Sequence, residues 1–220
     1  MLYKRNSVPL TKELFEKPTS EYRGTPFWAW NCELNQELLD KEIGYMQEMG
    51  LGGFHMHVRV GMSTEYLSDS FMDLIKGCIK TAKEKKMLAW LYDEDKWPSG
   101  FAGGIVTKKK ENRGKFLTFT KKPYCGNSSE ITDSRADALR MENGELIARY
   151  SVELDKNGCL KSYRRLGENE ECEGAWYAYC ETQGESAWFN MQTYVDTLSR
   201  DAMNDFINVT HERYKEIISE

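Results

Sequence analysis

Three short segments of the sequence concentrate side chains that can do chemistry. They are Trp28, Trp30 and Asn31; His55, His57 and Arg59; and Asp93, Glu94, Asp95 and Trp97. Carboxylates, imidazoles and amides bind hydroxyl groups, and indole rings cover the apolar C–H face of a pyranose. The three segments together therefore have the composition of a sugar-binding site.

Each segment lies at the end of a predicted β-strand. The predicted strands cover 25–31, 52–60 and 88–95, with one helix after the N-cap Asn35 and another from about Ser68. Short strands alternating with helices are typical of a parallel sheet in an α/β fold. Ligands of such folds bind beyond the carboxyl ends of the strands. We therefore expect the candidate residues to meet at that end of the sheet.

The middle strand has a strict period of two. Phe54, Met56, Val58 and Val60 lie on one predicted face, and His55, His57 and Arg59 lie on the other. We expect the two histidines, Arg59 and at least one of Asp93 and Asp95 to line one open pocket.

Each of these segments also has a purely structural interpretation. A His-x-His pair occurs as a satisfied polar pair inside barrels, and Trp28 and Trp30 fit a core as well as a sugar platform. Asp93 and Asp95 share one strand face and Glu94 lies on the other, so the three carboxylates do not all serve one ligand.

A metal site is the alternative for the same residues. His55 and His57 share a face and could bind a metal ion together with Asp93 or Asp95. No further fixed ligand is evident, so sugar contact is favoured, and neither a metal nor another cofactor is predicted. Gly100, Gly103 and Gly104 lack the spacing of a phosphate-binding loop.

The rest of the chain has a different pattern. Residues 113–188 are predicted to form short antiparallel strands. Glu145–Leu154 and Cys159–Leu166 flank Asp155–Gly158 as a hairpin, and Gly126–Asp137 is predicted to be a mobile polar loop. A final helix is predicted after Ser199, and His211 on that helix is interpreted as a surface or packing residue.

Composition excludes several classes of protein. A net charge of −5 and a pI near 5.5 argue against a nucleic-acid or anionic-membrane partner. The sequence has no apolar run long enough for a membrane span and no signal-peptide core. Six cysteines without a Cys-x-x-Cys pair predict reduced thiols in a cytoplasmic protein.

Five motifs carry a family resemblance. They are Pro26–Asn31, Gly52–His57, Tyr92–Asp95, Trp97–Gly100 and Trp188–Asp196. Together they resemble the N-terminal part of a bacterial glycoside hydrolase (β/α)8 barrel. They are similar to the α-L-rhamnosidases of glycoside hydrolase family 106 and their uncharacterised relatives.

The resemblance implies an α/β fold, a partial TIM-type barrel of about three strand–helix units with a β-rich insertion after the third strand. The implied regions are a leader at 1–22, the first barrel units at 23–112, the insertion at 113–188, and a return to the barrel at 189–220.

The resemblance also implies a glycoside hydrolase, or the N-terminal part of one, that acts on or binds glycosides at the strand ends. The implied catalytic glutamate would lie beyond residue 220, so no glycosidase turnover is expected of this chain. Asp93 and Glu94 stay candidates for catalysis. The alternatives are a non-catalytic carbohydrate-binding or assembly module, and a metal-dependent sugar-processing site built on His55, His57 and Asp93.

Three parallel strands cannot close into a barrel, so the predicted sheet has two open edges and an open face. Apolar side chains on that face would stay in contact with water. We therefore expect a homodimer through an open sheet edge or face, because two-fold dimers are the commonest closed assembly.

Overall fold

The computed structural model describes residues 9–123 and 144–218 and separates into two compact units. The first unit extends to Lys96 and includes the chain from Asn208 onward, and the second covers Trp97–Ile207. The fold is mixed α/β, with a parallel sheet in the first unit and a separate antiparallel sheet in the second. The partial barrel remains a prediction.

The first unit is built from alternating strands and helices. Its elements are α1 (Lys12–Glu16), a 3₁₀ turn (Ser20–Tyr22), β1 (Phe27–Trp30), α2 (Gln36–Glu48), β2 (Gly53–Val58), α3 (Asp69–Glu84) and β3 (Leu88–Asp95), with α5 (His211–Ile218) from the end of the chain. The predicted strand–helix alternation is confirmed.

The three strands are parallel in the order β1-β2-β3. Trp30 of β1 lies opposite Val58 of β2, and Val58 lies opposite Asp95 of β3. The register shifts between Met56 and Val58, so β3 carries extra residues near its end. The carboxyl ends of all three strands therefore meet at one end of the sheet.

Both long helices begin at a side-chain cap. The Asn35 carbonyl oxygen Oδ1 accepts a hydrogen bond from the Leu38 amide at 3.2 Å, and Ser68 Oγ accepts one from the Phe71 amide at 3.2 Å. Such caps satisfy amides that have no partner within the helix. The predicted starts of both helices are confirmed.

The core of this unit lies between the sheet and the helices. Leu39 and Ile43 of α2 and Phe71, Ile75 and Cys78 of α3 are all buried there. Burial raises the pKa of the Cys78 thiol to about 12, and the nearby Asp40 carboxylate adds to this shift. The predicted apolar face of β2 packs into the same core.

The second unit contains the antiparallel sheet, with strands β4 (Lys115–Thr120), β5 (Gly144–Leu154), β6 (Leu160–Arg165) and β7 (Trp176–Thr182). Three 3₁₀ turns lie at Ala102–Gly104, Lys110–Asn112 and Ala187–Phe189, and α4 (Arg200–Val209) begins in this unit. The strand order is β4-β7-β5-β6.

The predicted hairpin around Asp155 is confirmed. β5 and β6 pair antiparallel, and the Asp155 carboxylate accepts hydrogen bonds from the amides of Asn157 and Cys159 at 2.8 and 2.9 Å. This side-chain turn fixes the reversal of the chain. The predicted loop Gly126–Asp137 lies outside the described residues, as does Cys125.

The single helix predicted after Ser199 is two helices. The chain breaks between α4 and α5 at Thr210, which is fully buried and whose carbonyl oxygen accepts a hydrogen bond from the Tyr214 amide at 3.0 Å. The β-branched pair Val209 and Thr210 lies at this break, and β-branched residues lose side-chain freedom in a helix. Apolar residues recur at helical spacing on both sides of this break, so the sequence pattern predicts one continuous helix.

Among the described residues, no helix combines the length and the apolar character that crossing a membrane requires. The cysteines in the described ranges, Cys32, Cys78, Cys159, Cys172 and Cys180, all have free thiols.

Close contact between β2 and β3 depends on a glycine. A Cβ atom at Gly53 would lie 2.1 Å from the Leu88 carbonyl oxygen and 2.7 Å from the Trp90 ring. We predict that Gly53→Ala lowers the free energy of unfolding in urea by about 1–3 kcal/mol, because the strands must separate. Gly24→Ala is the control, since its Cβ would meet only Leu51 at 3.7 Å. Equal stability of the two variants would contradict the prediction.

Candidate active site on the parallel sheet

Five side chains form an imidazole–aromatic face on the parallel sheet. They are Phe27 of β1, His55 and His57 of β2, and Trp90 and Tyr92 of β3. The His57 ring lies 4.1 Å from the Phe27 ring and 4.3 Å from the Tyr92 ring, measured between centroids. His55 stacks on Trp90 at 4.8 Å, with 15° between the ring planes.

Strand alternation puts these rings together. Phe54, Met56 and Val58 are buried in the core beneath the helices, so the intervening His55 and His57 lie on the opposite face. The parallel register then aligns them with their neighbours, since His55 lies opposite both Phe27 and Trp90.

His57 is buried and His55 is half-buried, and each imidazole has a buried nitrogen without a hydrogen-bond partner in the part of the chain that the structure describes. Among the described residues, Nδ1 of His55 and Nδ1 of His57 are buried without a hydrogen-bond partner, and the His57 residue is 2% exposed. Burial, and secondarily the Arg59 cation, lower the pKa of His57 to about 4. His57 is therefore neutral at pH 7. A buried polar atom without a partner is costly, and the described residues supply no partner for these two nitrogens.

Phe27 and Tyr92 form the rim of this face. Phe27 is 55% exposed, and the Tyr92 hydroxyl donates a hydrogen bond to the Glu94 carboxylate at 3.3 Å. Burial raises the pKa of Tyr92, and the Glu94 charge adds to the effect. The face thus offers exposed ring surface beside partly buried polar atoms.

Asp93, near the end of β3, belongs to a second cluster. Asp93 Oδ2 lies 2.6 Å from Nε2 of His211 on α5. A cavity of about 440 Å³ adjoins this pair, lined by Leu91, Asp93, His211, Tyr214, Lys215 and Ile218. His211 is exposed, as its interpretation as a surface residue predicts, and its ring contacts Asp93.

Asp95 is buried at the end of β3. Its Oδ1 has no hydrogen-bond partner within the described ranges, and Lys96 Nζ is 3.9 Å away. Burial raises the pKa of the Asp95 carboxyl, and the Lys96 cation opposes the shift. Burial also raises the pKa of the neighbouring tyrosines, Tyr66 and Tyr214, in the latter case to about 12.

The structure separates the histidines of β2 from Asp93. Leu91 packs against the helix-side core, and Asp93, two residues later, contacts His211 of α5. His57 instead contacts Tyr92 on the opposite face. The expectation that His55, His57, Arg59 and at least one of Asp93 and Asp95 line one open pocket is therefore wrong for His57 and Asp93. They lie at the same end of the sheet but on different faces.

The remaining predicted residues divide between core and surface. Trp30 is 2% exposed and belongs to the core, and Trp28 packs on Phe54 while its Nε1 donates to Glu42 at 2.7 Å. Both therefore have structural contacts. Asn31 and Arg59 are exposed after their strands.

Trp97 belongs to the second unit. It is 46% exposed, and its ring meets Tyr194 edge-on at 5.8 Å.

The residues of the alternative metal site lie on different faces of the sheet. In the described ranges, no group of three or more His, Cys, Asp or Glu side chains is arranged to hold a metal ion. The alternative built on His55, His57 and Asp93 fails in this structure because Asp93 lies on the helix side of the sheet.

Comparisons with known proteins assign no family. No protein family matches the sequence, and no curated protein matches it either. A solved structure titled as a rhamnosidase from Novosphingobium sp. PP1Y is similar, with 17% identity and a TM-score of 0.40 over 51% of this chain. The match spans 11% of the length of that protein.

The state of His57 predicts a response to acid. The folded protein protonates His57 only near pH 4, whereas an ordinary histidine does so near 6.5. Between pH 6.5 and pH 4 the unfolded chain therefore binds more protons than the folded protein. As the pH is lowered through this range, the free energy of unfolding decreases by up to about 1.4 kcal/mol per pH unit. Urea unfolding from pH 7 to 4.5 measures this slope.

His57→Gln is the comparison that isolates this contribution. The raised pKa of Asp95 acts in the opposite direction. As the pH is lowered, the Asp95 carboxyl takes up a proton in the folded protein before it does so in the unfolded chain, so its contribution to the free energy of unfolding is lost as the pH rises. Both proteins contain Asp95, so its effect cancels in the difference. An identical pH slope in the two proteins would contradict the assigned state of His57.

Proposed function

We propose that the chain binds glycosides through the imidazole–aromatic face, as part of a glycoside-hydrolase-like protein. The observation that supports this most is the pair of buried imidazole nitrogens without partners, held among Phe27, Trp90 and Tyr92. A sugar needs both properties, since its ring has an apolar C–H surface and a border of hydroxyl groups.

The neutral state of His57 suits a hydroxyl ligand. A neutral imidazole has one nitrogen that donates and one that accepts a hydrogen bond, and a hydroxyl group can do both. A charged imidazolium would favour an anion instead. With its pKa near 4, His57 favours an uncharged sugar at neutral pH.

Binding without turnover is favoured over hydrolysis by this chain alone. Hydrolysis uses two carboxyl groups on either side of the scissile bond. Here Asp93 pairs with His211, Glu94 accepts from Tyr92, and Asp95 is buried. None of the three is assigned to the role of acid or base. The more specific function that the sequence resemblance implies is a hydrolase activity. Its substrates would be α-L-rhamnosides.

Removing one ring tests the site. We predict that Trp90→Ala raises the dissociation constant for a bound methyl glycoside about two- to tenfold, because one ring contact is worth about 0.5–1.5 kcal/mol. Isothermal titration calorimetry with methyl α-L-rhamnopyranoside and the methyl glycosides of glucose, galactose and mannose measures this.

Trp176→Ala is the matched control. Trp176 is also a half-buried strand tryptophan, but it lies on the antiparallel sheet of the second unit. It should leave the affinity unchanged. No binding of any of these glycosides by the wild-type chain, or equal weakening in both variants, would overturn the proposal.

Self-association is the second part of the proposal. β1 and β3 are the edge strands of the described parallel sheet, and Phe27 exposes a large part of its ring. We predict a homodimer that light scattering detects with rising protein concentration, since unpaired strand edges favour pairing with another chain. A monodisperse monomer at all concentrations would contradict this prediction.

A further inference from the structure

The second unit contains a tightly bonded loop that presents one tryptophan to solvent. The loop is Ser186–Gln192, hereafter the Trp188 loop. Trp188 is 83% exposed, although an indole is among the largest apolar side chains. Such exposure is unusual for a ring that the surrounding backbone holds in place.

Backbone hydrogen bonds close the Trp188 loop at its base. The Ser186 carbonyl oxygen accepts from the amides of Phe189 and Met191 at 3.0 and 2.8 Å. The Ser186 amide donates to the Gln192 carbonyl at 3.2 Å, and the Ser186 hydroxyl accepts from the Trp188 amide at 3.2 Å. These bonds fix the backbone from which the Trp188 side chain projects.

The loop adopts a strained conformation. Asn190 and Met191 are consecutive non-glycine residues in the left-handed region, with φ of 55° and 61°. Such residues persist only where surrounding contacts impose them, and they concentrate at functional sites. The Asn190 side-chain amide supplies one such contact, donating to the Trp97 carbonyl oxygen at 3.2 Å.

Packing from the rest of the unit fixes both flanks of the loop. The Phe189 ring meets the Tyr194 ring edge-on at 4.8 Å. On the other flank, Gln192 packs against Gly104, where an added Cβ would lie 2.9 Å from the Gln192 Oε1. The indole of Trp188 is thus held on a rigid base while its ring remains open to solvent.

We propose that Trp188 is a carbohydrate-stacking residue whose indole covers the apolar face of a neutral sugar ring. The inference rests on the proposed glycoside function and adds a contact outside the imidazole–aromatic face. The loop from Ser186 to Gln192 contains no charged residue, so it offers no counter-ion to a charged ligand. Its ring and amide groups match a sugar, which presents C–H groups on its face and hydroxyl groups at its edge.

The test is a titration followed on the tryptophan side chains. The chain has six tryptophans, so a ¹⁵N-labelled sample gives six indole N–H signals that single Trp→Phe variants assign. The probe is methyl α-L-rhamnopyranoside, followed by the methyl glycosides of glucose, galactose and mannose. We expect a saturable shift of the Trp188 signal with at least one of them.

Affinity measurements with variants complete the test. Trp188→Ala should weaken the sugar interaction about three- to tenfold, and Trp188→Phe should retain part of it. Leu198→Ala is the matched control, because Leu198 is a 95% exposed apolar side chain of the same unit. It should leave the affinity unchanged. Since Trp188 and Leu198 are both exposed, the circular dichroism spectrum and the midpoint of urea unfolding should be the same in their variants as in the wild-type chain.

The outcomes separate this inference from the proposed function. If Trp90 shifts with sugar while Trp188 does not, the inference fails and the imidazole–aromatic face stands. A Trp188 shift without one at Trp90 supports the inference and overturns the proposed face. If neither signal moves, both fail. If Trp188 shifts only with protein concentration, the loop is a contact between copies and the inference is wrong.

Discussion

Burial of one face of β2 is the constraint on which the first unit depends. Phe54, Met56 and Val58 fill the core beneath the helices. Leaving any one of these side chains in water would lower the free energy of unfolding by about 1.5–3 kcal/mol. A slip of one residue would move all three to the other face. The burial of these three side chains therefore also determines which face of the sheet His55 and His57 occupy. No further interaction is needed to place the two histidines on that face.

This constraint explains why the two faces of β2 are predictable from the sequence, whereas for β3 the strand is predictable but the face that meets the helices is not. In β2 apolar and polar residues alternate, so the pattern alone assigns the two faces. In β3 Trp90, Leu91 and Tyr92 are all apolar or aromatic, so alternation gives no indication of which face meets the helices. Asp93 follows Leu91 to the helix side, where its partner His211 lies 118 positions away in the chain. No local pattern contains that pairing.

The same distinction holds in the second unit. The hairpin at Asp155 is encoded locally, because an Asp-x-Asn-Gly turn has its own side-chain acceptor and its own glycine. The Trp188 loop has no glycine to mark its left-handed residues. Asn190 and Met191 adopt that conformation through contacts with Trp97 and the loop ends, which become visible only after folding.

The buried thiol of Cys78 has a consequence for the chemistry of the intact chain. Attack on an alkylating reagent requires the thiolate, and a pKa of about 12 together with complete burial leaves almost none of it at neutral pH. Cys32 and Cys159 are exposed and carry no such protection. Modification of Cys78 must therefore wait until α3 separates from the sheet, so its rate reports how often the first unit opens.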